Sequence, residues 1–220
     1  MSNTKLLIIA LIFFKVNFFS FYNATSIQKC SESTLVQTET KSGKIKGSCS
    51  FVYVEDDKEF KSGNVYSWLA IPYAEPPIND NRFKDPVPVK PWSDELNATK
   101  LPNSCMQLTG EDYEENFEAH KIFKLNNQTM ISEDCLYLNV WSPAKAFLKI
   151  DVNNAEANKV PVLVFFHGGG STKGASSLDI YDPSVLVTFT EIIVVTVNYR
   201  LGLFGFFHLN DSHSTHVSID

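Results

Sequence analysis

The sequence predicts an α/β fold in which antiparallel strands lead into a parallel central sheet, and three observations carry this prediction. Alternating apolar segments near the N-terminus follow one another through short connections, which is typical of antiparallel pairing. Two apolar runs, residues 160–166 and 192–197, lack polar alternation and suit strands buried on both faces. A short helical pattern separates these runs, and a strand, a helix and a strand in succession form a parallel βαβ unit.

The first 26 residues differ in composition from the rest and resemble a secretory signal. Lys5 precedes a charge-free apolar run, and the small residues 24–26 fit a cleavage site after Ser26. We therefore predict a secreted, extracellular protein, with an uncleaved N-terminal anchor as the alternative. No other apolar stretch approaches the length needed to span a membrane. Among the N-x-S/T sequons, Asn97 and Asn127 lie in polar loop sequence and are the predicted glycosylation sites.

The remaining composition describes a globular, mildly acidic chain. Its 220 residues are 44% hydrophobic, enough to bury the core of one or two domains. The formal net charge of −6 and the absence of a basic run give no support to a nucleic-acid partner. The composition leaves the oligomeric state open.

Four cysteines follow the predicted signal, an even number that suits two disulfides in an oxidising compartment. The sequence alone permits three pairings, of which we favour Cys30 with Cys49 and Cys105 with Cys135. Their spacing is unlike the paired cysteines of a zinc site, so we predict no metal and no cofactor.

The early strands are predicted first along the chain. Residues 35–47 alternate and have a turn near Gly43, which indicates a β-hairpin. Strand patterns continue at residues 51–54 and 65–71, and the proline-rich segment 72–91 that follows excludes helix. Arg82 in this segment needs a carboxylate partner if it is packed, because an unpaired buried charge costs several kcal/mol.

The candidate partner precedes the next strand, predicted at residues 136–141. Glu133 is our candidate for the carboxylate that pairs with Arg82. The alternative is that Glu133 or Asp134 has a catalytic role. The acidic loop between Cys105 and Cys135 is interpreted as a solvated surface. Further on, Asp182 as N-cap and Pro183 as first helical residue predict a helix running to about Phe189.

The glycine motif at residues 167–170 is the candidate functional feature. A histidine and three glycines directly follow the first buried run. Glycines lack Cβ and adopt positive φ, so that consecutive N–H groups can converge on one point, such as a developing oxyanion. The motif matches the HGGG loop of esterases and lipases. The alternative is a flexible glycine turn.

Several blocks together resemble the type-B carboxylesterase and cholinesterase family, which has the α/β-hydrolase fold. These blocks occur in the family's order from about residue 33 to residue 207, and they are residues 70–77, 82–83, 91–92, 105–107, 132–143, 167–170 and 197–206. The predicted organisation is a signal peptide (1–26), the N-terminal part of a carboxylesterase domain with an incomplete sheet (27–207) and a divergent tail (208–220).

The resemblance implies specific roles for residues of this sequence. Gly169 and Gly170 match the loop glycines whose N–H groups face the substrate oxyanion. Cys105 and Cys135 match the family's first disulfide, and Arg82 and Glu133 match its buried ion pair. Arg200 matches a salt-bridged arginine whose usual partner would lie downstream of Asp220.

The sequence also departs from the family pattern. The family often has glycine where Ala70 and Asn79 stand, and an aromatic residue at the position of Ser171. No G-x-S-x-G nucleophile elbow occurs, and no histidine can be assigned as the catalytic base.

Three interpretations remain open at this point. The first is the N-terminal portion of a secreted serine carboxylesterase that cleaves small-molecule carboxylic esters, inactive as it stands because it ends before the nucleophile. The others are a non-catalytic, cholinesterase-like adhesion protein and an inactive short isoform. Lost strands would leave apolar surface exposed and favour aggregation.

Overall fold

The computed structural model describes residues 24–30, 36–55, 60–108, 125, 130–148 and 159–207. The first five strands are β1 (Ala24–Lys29), β2 (Val36–Thr40), β3 (Gly43–Glu55), β4 (Phe60–Pro72) and β5 (Leu96–Asn97). The others are β6 (Ser104–Cys105), β7 (Ile131–Ser132), β8 (Tyr137–Pro143), β9 (Val162–Phe166) and β10 (Ile193–Val197). The helices are α1 (Lys145–Leu148), α2 (Ser184–Thr190) and α3 (Gly202–Phe206), with 3₁₀ turns at Asn79–Asn81 and Asp179–Tyr181.

The main sheet confirms the predicted fold class. Its strand order is β1-β3-β4-β8-β10-β9, and β2 and β5 also pair with β3. The pairs from β1 through β8 to β10 are antiparallel, whereas β9 and β10 are parallel and are connected through α2. The sheet therefore changes from antiparallel to parallel at β10, as an incomplete α/β-hydrolase sheet does.

The predicted N-terminal hairpin forms between β2 and β3. Its last pair joins Thr40 to Gly43, and Gly43 has a φ of +143° that disfavours any residue with a side chain. The Thr40 hydroxyl accepts the N–H group of Gly43 at 3.2 Å, which stabilises the turn. The turn lies where the sequence predicted it.

Strand β4 contains an irregularity that explains one departure from the family pattern. Its register against β8 shifts between Trp68 and Ile71, and Ala70 in this bulge has a φ of +55°. Its N–H group donates to Oδ1 of Asn139 at 2.9 Å instead of joining the regular ladder. Asn79 likewise has a φ of +51°. Both are left-handed positions, where glycine is free of the strain that a side chain causes.

The main core lies between the antiparallel strands and α2. Val52, Val54 and Val65 pack with Trp141, Val187 and Val194 in one buried cluster. Strand β9 differs from the prediction that it is buried on both faces. Its residues Val162 to Phe165 are half-buried, and Phe166 is 55% exposed. Within the described residues β9 pairs with β10 alone, so its other edge is unpaired there.

Helix α2 begins one residue later than predicted. Pro183 is the N-cap, and the first helical residue is Ser184. The Asp182 carboxylate accepts the Ser184 N–H group at 2.8 Å, so Asp182 still satisfies a free amide from one position further upstream. The helix ends in a left-handed C-cap at Glu191, with a φ of +60°.

Parts of the predicted organisation lie outside the described residues, namely most of the signal segment, Asn127, most of the acidic loop and the tail 208–220. The end of the signal is described, because β1 begins at Ala24 and pairs with β3 across the predicted cleavage point at Ser26. In the described parts of the chain, no helix combines the length and apolar character required to cross a bilayer.

Candidate active site

The glycine loop, residues 168–174, begins directly after β9 and turns sharply. Gly169 has a φ of +133° and Gly170 a φ of +63°. The Gly169 carbonyl accepts the N–H groups of Thr172 and Lys173, both at 3.2 Å. A Cβ atom on Gly169 would lie 1.9 Å from the Lys173 carbonyl oxygen. Only glycine therefore fits at residue 169 without moving the backbone.

The amides of Gly169 and Gly170 point to no acceptor in the described part of the chain. The hydrogen bonds within the turn use the Gly169 carbonyl as acceptor, including one from the Thr172 hydroxyl at 3.1 Å. Gly169 is half-buried and Gly170 is exposed. Two adjacent N–H donors are thus available to a ligand at the end of a parallel strand.

His167 fixes the start of the loop from inside the protein. Its side chain is 3% exposed, and its Nδ1 lies 3.0 Å from the Gly168 carbonyl oxygen. Because that oxygen can only accept, Nδ1 carries the proton and Nε2 is an acceptor. Nε2 is buried and has no hydrogen-bond partner in the described structure. Burial lowers the pKa of His167, and the hydrogen bond to Gly168 opposes this shift. The neutral ring is therefore a structural support.

The segment after β10 packs against this support. The Tyr199 ring stacks on the His167 ring, with centroids 4.5 Å apart, and its hydroxyl donates to the His167 carbonyl at 2.7 Å. Further along, the Gly202 N–H group donates to the Ser171 carbonyl at 2.8 Å. The two loops that follow the parallel strands therefore hold each other.

Two buried asparagines connect the strands behind the loop. Asn139 donates to the hydroxyls of Ser176 and Thr196 at 3.1 and 3.0 Å. Asn198 accepts the Ser176 N–H group and donates to the Asn103 carbonyl, both at 2.8 Å. Both asparagines are 0% exposed. Such a satisfied buried network gives the site a rigid base.

The structure brings together the cysteine pairs that we favoured. Cys105 and Cys135 form a disulfide with Cα atoms 5.0 Å apart, and Cys30 and Cys49 form one with Cα atoms 5.6 Å apart. Cys105 and Cys135 are both buried, whereas Cys30 is only half-buried.

Arg82 and Glu133 also meet, but in a different environment from the one expected. Arg82 donates through Nε and Nη2 to the two oxygens of Glu133, at 2.5 and 2.7 Å. The Arg82 side chain is 42% exposed and the Glu133 side chain 19% exposed, so this bidentate pair is not buried. It lies beside the Cys105–Cys135 disulfide at a small surface cleft.

Arg200 lies near the same cleft and is half-buried. Its Nη1 donates to the Lys84 carbonyl at 2.8 Å. Burial lowers its pKa, and the nearby Tyr73 and Asp85 act in the opposite direction. Burial also raises the pKa of Tyr73 to about 12, and Arg200 opposes that rise. Arg200 thus has local partners in addition to the downstream acid that the resemblance implies.

The remaining candidates have simple environments. Asp134 accepts the Tyr137 hydroxyl at 2.8 Å, so the acid next to Glu133 is also engaged in a local contact. Asn97 is exposed on β5, and the Thr99 hydroxyl of its sequon donates to Asn97 Oδ1 at 2.8 Å. Among the residues that the structure describes, no three histidine, cysteine or acidic side chains group in a way that could hold a metal ion.

Sequence reasoning assigned no role to several residues that hold the site together. Asn139, Asn198, Tyr199 and Gln107 all occur in the blocks that carry the family resemblance, yet no spacing rule marks them. One feature of the sequence does point to them: most of these polar residues lie within apolar strands or directly after them. Buried polar groups of this kind need partners, and their partners come from distant parts of the chain.

Comparison with known proteins supports one family. The sequence profile of the carboxylesterase family matches residues 32–216, which extends beyond Phe207. Acetylcholinesterase from Leptinotarsa decemlineata is 41% identical over 174 residues, covering 78% of this chain and 26% of that protein. Acetylcholinesterase 4 from Caenorhabditis briggsae is 39% identical over 175 residues, 80% of this chain and 25% of the relative.

An esterase that is not a cholinesterase by name matches at a similar identity. Cocaine esterase from Oryctolagus cuniculus is 39% identical over 176 residues, 80% of this chain and 30% of that enzyme. The chain thus spans between a quarter and a third of the length of these curated relatives. The profile match and the relatives confirm the resemblance found in the sequence: the chain belongs to the carboxylesterase family.

Proposed function

We propose that this chain supplies the oxyanion-stabilising part of a carboxylic ester hydrolase that acts on small-molecule esters. One observation carries the proposal: the amides of Gly169 and Gly170, in a half-buried and an exposed residue, are adjacent and have no acceptor among the described residues. Family membership supports an ester as the occupant of this position.

The chemistry follows from the charge that the reaction creates. When a hydroxyl nucleophile attacks an ester carbonyl, the carbonyl oxygen gains a negative charge as the tetrahedral intermediate forms. N–H donors held near that oxygen stabilise it more than they stabilise the neutral ester. Gly169 and Gly170 are the proposed donors, and Asn139 and Asn198 hold Ser176, two residues beyond the end of their loop.

The proposed reaction also requires a nucleophile, a role that we assign to none of the described residues. The sequence contains no G-x-S-x-G elbow, and His167 is buried with its Nδ1 proton directed at the Gly168 carbonyl. We therefore propose that the 220 residues alone do not hydrolyse esters. In the proposed reaction the oxyanion donors act together with a serine, a histidine and an acid of the family type.

A chimera tests the proposal directly. Residues 32–207 replace the matching segment of the Oryctolagus cuniculus cocaine esterase, and hydrolysis of p-nitrophenyl acetate is followed by absorbance. We expect the chimera to hydrolyse the ester and to be inactivated by an organophosphate. The 220-residue chain should hydrolyse the ester no faster than buffer without protein does. The unaltered esterase serves as the positive control. A chimera with native-like circular dichroism and no activity would contradict the proposal and favour a binding role.

We also propose export and glycosylation of the native chain. The disulfides support an oxidising compartment, and the exposed Asn97 with its Thr99 contact supports glycan attachment there. N-terminal sequencing of secreted protein tests cleavage after Ser26, which would shorten β1 to Ile27 and the residues after it. Endoglycosidase treatment should increase the gel mobility of the unaltered protein by removing its glycans. Asn97→Gln and Asn127→Gln should each reduce this change if the replaced asparagine carries a glycan.

A further inference from the structure

The return of the glycine loop is held by a side chain from a distant segment. Gln107 accepts the Gly174 N–H group through Oε1 at 2.8 Å and donates through Nε2 to the Gly174 carbonyl at 2.8 Å. The same Nε2 donates to the Cys105 carbonyl at 3.0 Å. One carboxamide thus satisfies both backbone groups of Gly174 and is itself oriented by its own segment.

Gly174 is the point at which the loop closes on its own beginning. Its φ of +117° is restricted to glycine, and a Cβ atom there would lie 2.5 Å from His167 Nδ1 and 2.6 Å from the Gly168 carbonyl oxygen. No space exists between the end of the loop and its start. Movement of Gly174 toward the start of the loop therefore presses on the peptide between Gly168 and Gly169, which carries the Gly169 amide.

The segment that carries Gln107 is itself anchored. Cys105 is 2% exposed and is joined to the 1% exposed Cys135 by a disulfide. The adjacent Ser104 pairs with Ile131 in the two-stranded β6–β7 sheet. The carboxamide of Gln107 is therefore presented from a covalently fixed position, at a sequence distance of 67 residues from Gly174.

We infer that Gln107 is a positioning residue for the oxyanion donors, acting through Gly174. This inference rests on the proposed function of Gly169 and Gly170. The Gln107 carboxamide is engaged by the backbone of Gly174 and Cys105 and is not itself one of the proposed oxyanion donors. It sets where the loop ends, and the contact of Gly174 with His167 and Gly168 transmits that position to the Gly169 amide.

Kinetics of the chimera described above separate positioning from simple folding. Gln107→Leu removes all three hydrogen bonds and is expected to lower kcat for p-nitrophenyl acetate about 10- to 100-fold, because a small misplacement of a catalytic donor has a large effect. KM should change less than about threefold, since the donors act mainly on the transition state. Affinity for a trifluoromethyl ketone, which forms a tetrahedral adduct, should fall in parallel with kcat.

Two further variants make the result specific. Gln107→Glu keeps an acceptor for the Gly174 N–H group but places its second oxygen against the carbonyls of Gly174 and Cys105, so it should not restore kcat. Gln37→Leu is the matched control, because Gln37 is exposed on β2 and far along the sheet from the loop. If Gln107→Leu does not fold, kcat and amide exchange are measured on Gln107→Glu instead.

Amide exchange gives a readout that does not depend on activity. In the 220-residue chain and in the chimera, Gln107→Leu should accelerate hydrogen exchange at Gly174 at least about tenfold relative to Gln37→Leu. An active chimera whose kcat is unchanged in both Gln107 variants would overturn the inference. Unchanged exchange at Gly174 would overturn it as well. The parent chimera could instead fold without being active, while Gln107→Leu still accelerates exchange at Gly174. That result would contradict the proposed function but would support the contact between Gln107 and Gly174 as the one that holds the loop.

Discussion

Two loops follow the two parallel strands, and they use their backbone groups in opposite ways. After β10, Asn198 directs its N–H group to the Tyr137 carbonyl at 3.0 Å and accepts the Tyr73 hydroxyl at 2.8 Å through its own carbonyl. After β9, the amides of Gly169 and Gly170 meet no acceptor among the described residues. Directly after β10, Asn198 is buried with both of its backbone groups paired, whereas the two glycines after β9 are half-buried and exposed and keep unpaired donors.

The difference shows how a site can be both rigid and unsatisfied. Unpaired amides normally recruit water or rearrange, because a polar group without a partner is unfavourable when buried. Here the turn is held at other points, through the Gly169 carbonyl, the Ser171 carbonyl and the Gly174 peptide. The free amides can therefore keep one direction without being used for structure.

The largest expected effect comes from closing the space at the free amides. Gly169→Ala places a Cβ atom where the Lys173 carbonyl oxygen lies, so the turn must shift and the donor with it. We expect kcat of the chimera to fall about 10²- to 10³-fold, the usual effect of losing one oxyanion donor. Steady-state hydrolysis of p-nitrophenyl acetate measures this.

Two glycine variants calibrate that result. Gly170→Ala meets no atom within 4 Å but retains a φ of +63°, so its effect should be smaller than that of Gly169→Ala. Gly63→Ala on β4 also meets no atom within 4 Å and should leave kcat within about twofold. Equal rates for Gly63→Ala and Gly169→Ala would show that the Gly169 turn does not position a donor.

Replacing the buried Asn198, directly after β10, should lower the free energy of unfolding. Asn198→Ala removes the acceptor of the Ser176 N–H group and the donor to the Asn103 carbonyl, both in a buried environment. At about 1–3 kcal/mol for each of the two groups left unsatisfied, the free energy of unfolding should fall by about 2–6 kcal/mol. Urea titration measures the change. Asn64→Ala, at an exposed position on β4, should change it by less than about 0.5 kcal/mol, and a similar small loss for Asn198→Ala would disprove the assigned rigidity.

A smaller change in stability is expected when the pH is lowered, because His167 titrates. Burial lowers the pKa of His167 in the folded state, so the unfolded chain binds the proton more readily. Its contribution to stability is complete above the unfolded pKa of about 6.5 and is lost as the pH falls through the lower folded pKa. The loss should reach at most about 1.4 kcal/mol per pH unit.

A variant isolates this contribution from that of the carboxylates. His167→Gln lacks the titrating ring, so its unfolding free energy should decline less steeply than that of the unaltered protein as the pH is lowered from 6.5. Urea titrations at a series of pH values compare the two slopes. Parallel slopes would mean that the ring does not remain neutral in the folded state.

Much of this protein could be predicted from local sequence, for physical reasons that act over a few residues. Alternation and turn residues determine the β2–β3 hairpin, and a strand, helix and strand in succession determine the parallel β9–β10 pair. The glycine motif predicted a loop that only glycine can form, and Gly169 bears this out through its φ and its contact with Lys173. The start of α2 was misplaced by one residue, because Asp182 satisfies Ser184 from outside the helix.

Only the tertiary structure decided what surrounds these elements. Hydrophobicity predicts that residues 162–166 form a strand, but burial depends on which segments pack on it, and Phe166 is 55% exposed. The exposure of Arg82, the bulge at Ala70 and the clamp of Gln107 on Gly174 are likewise set by partners from distant segments. Local pattern determines backbone shape through sterics and hydrogen bonding within a few residues. Contacts between distant segments depend on how those shapes pack, and no short stretch of sequence contains that information.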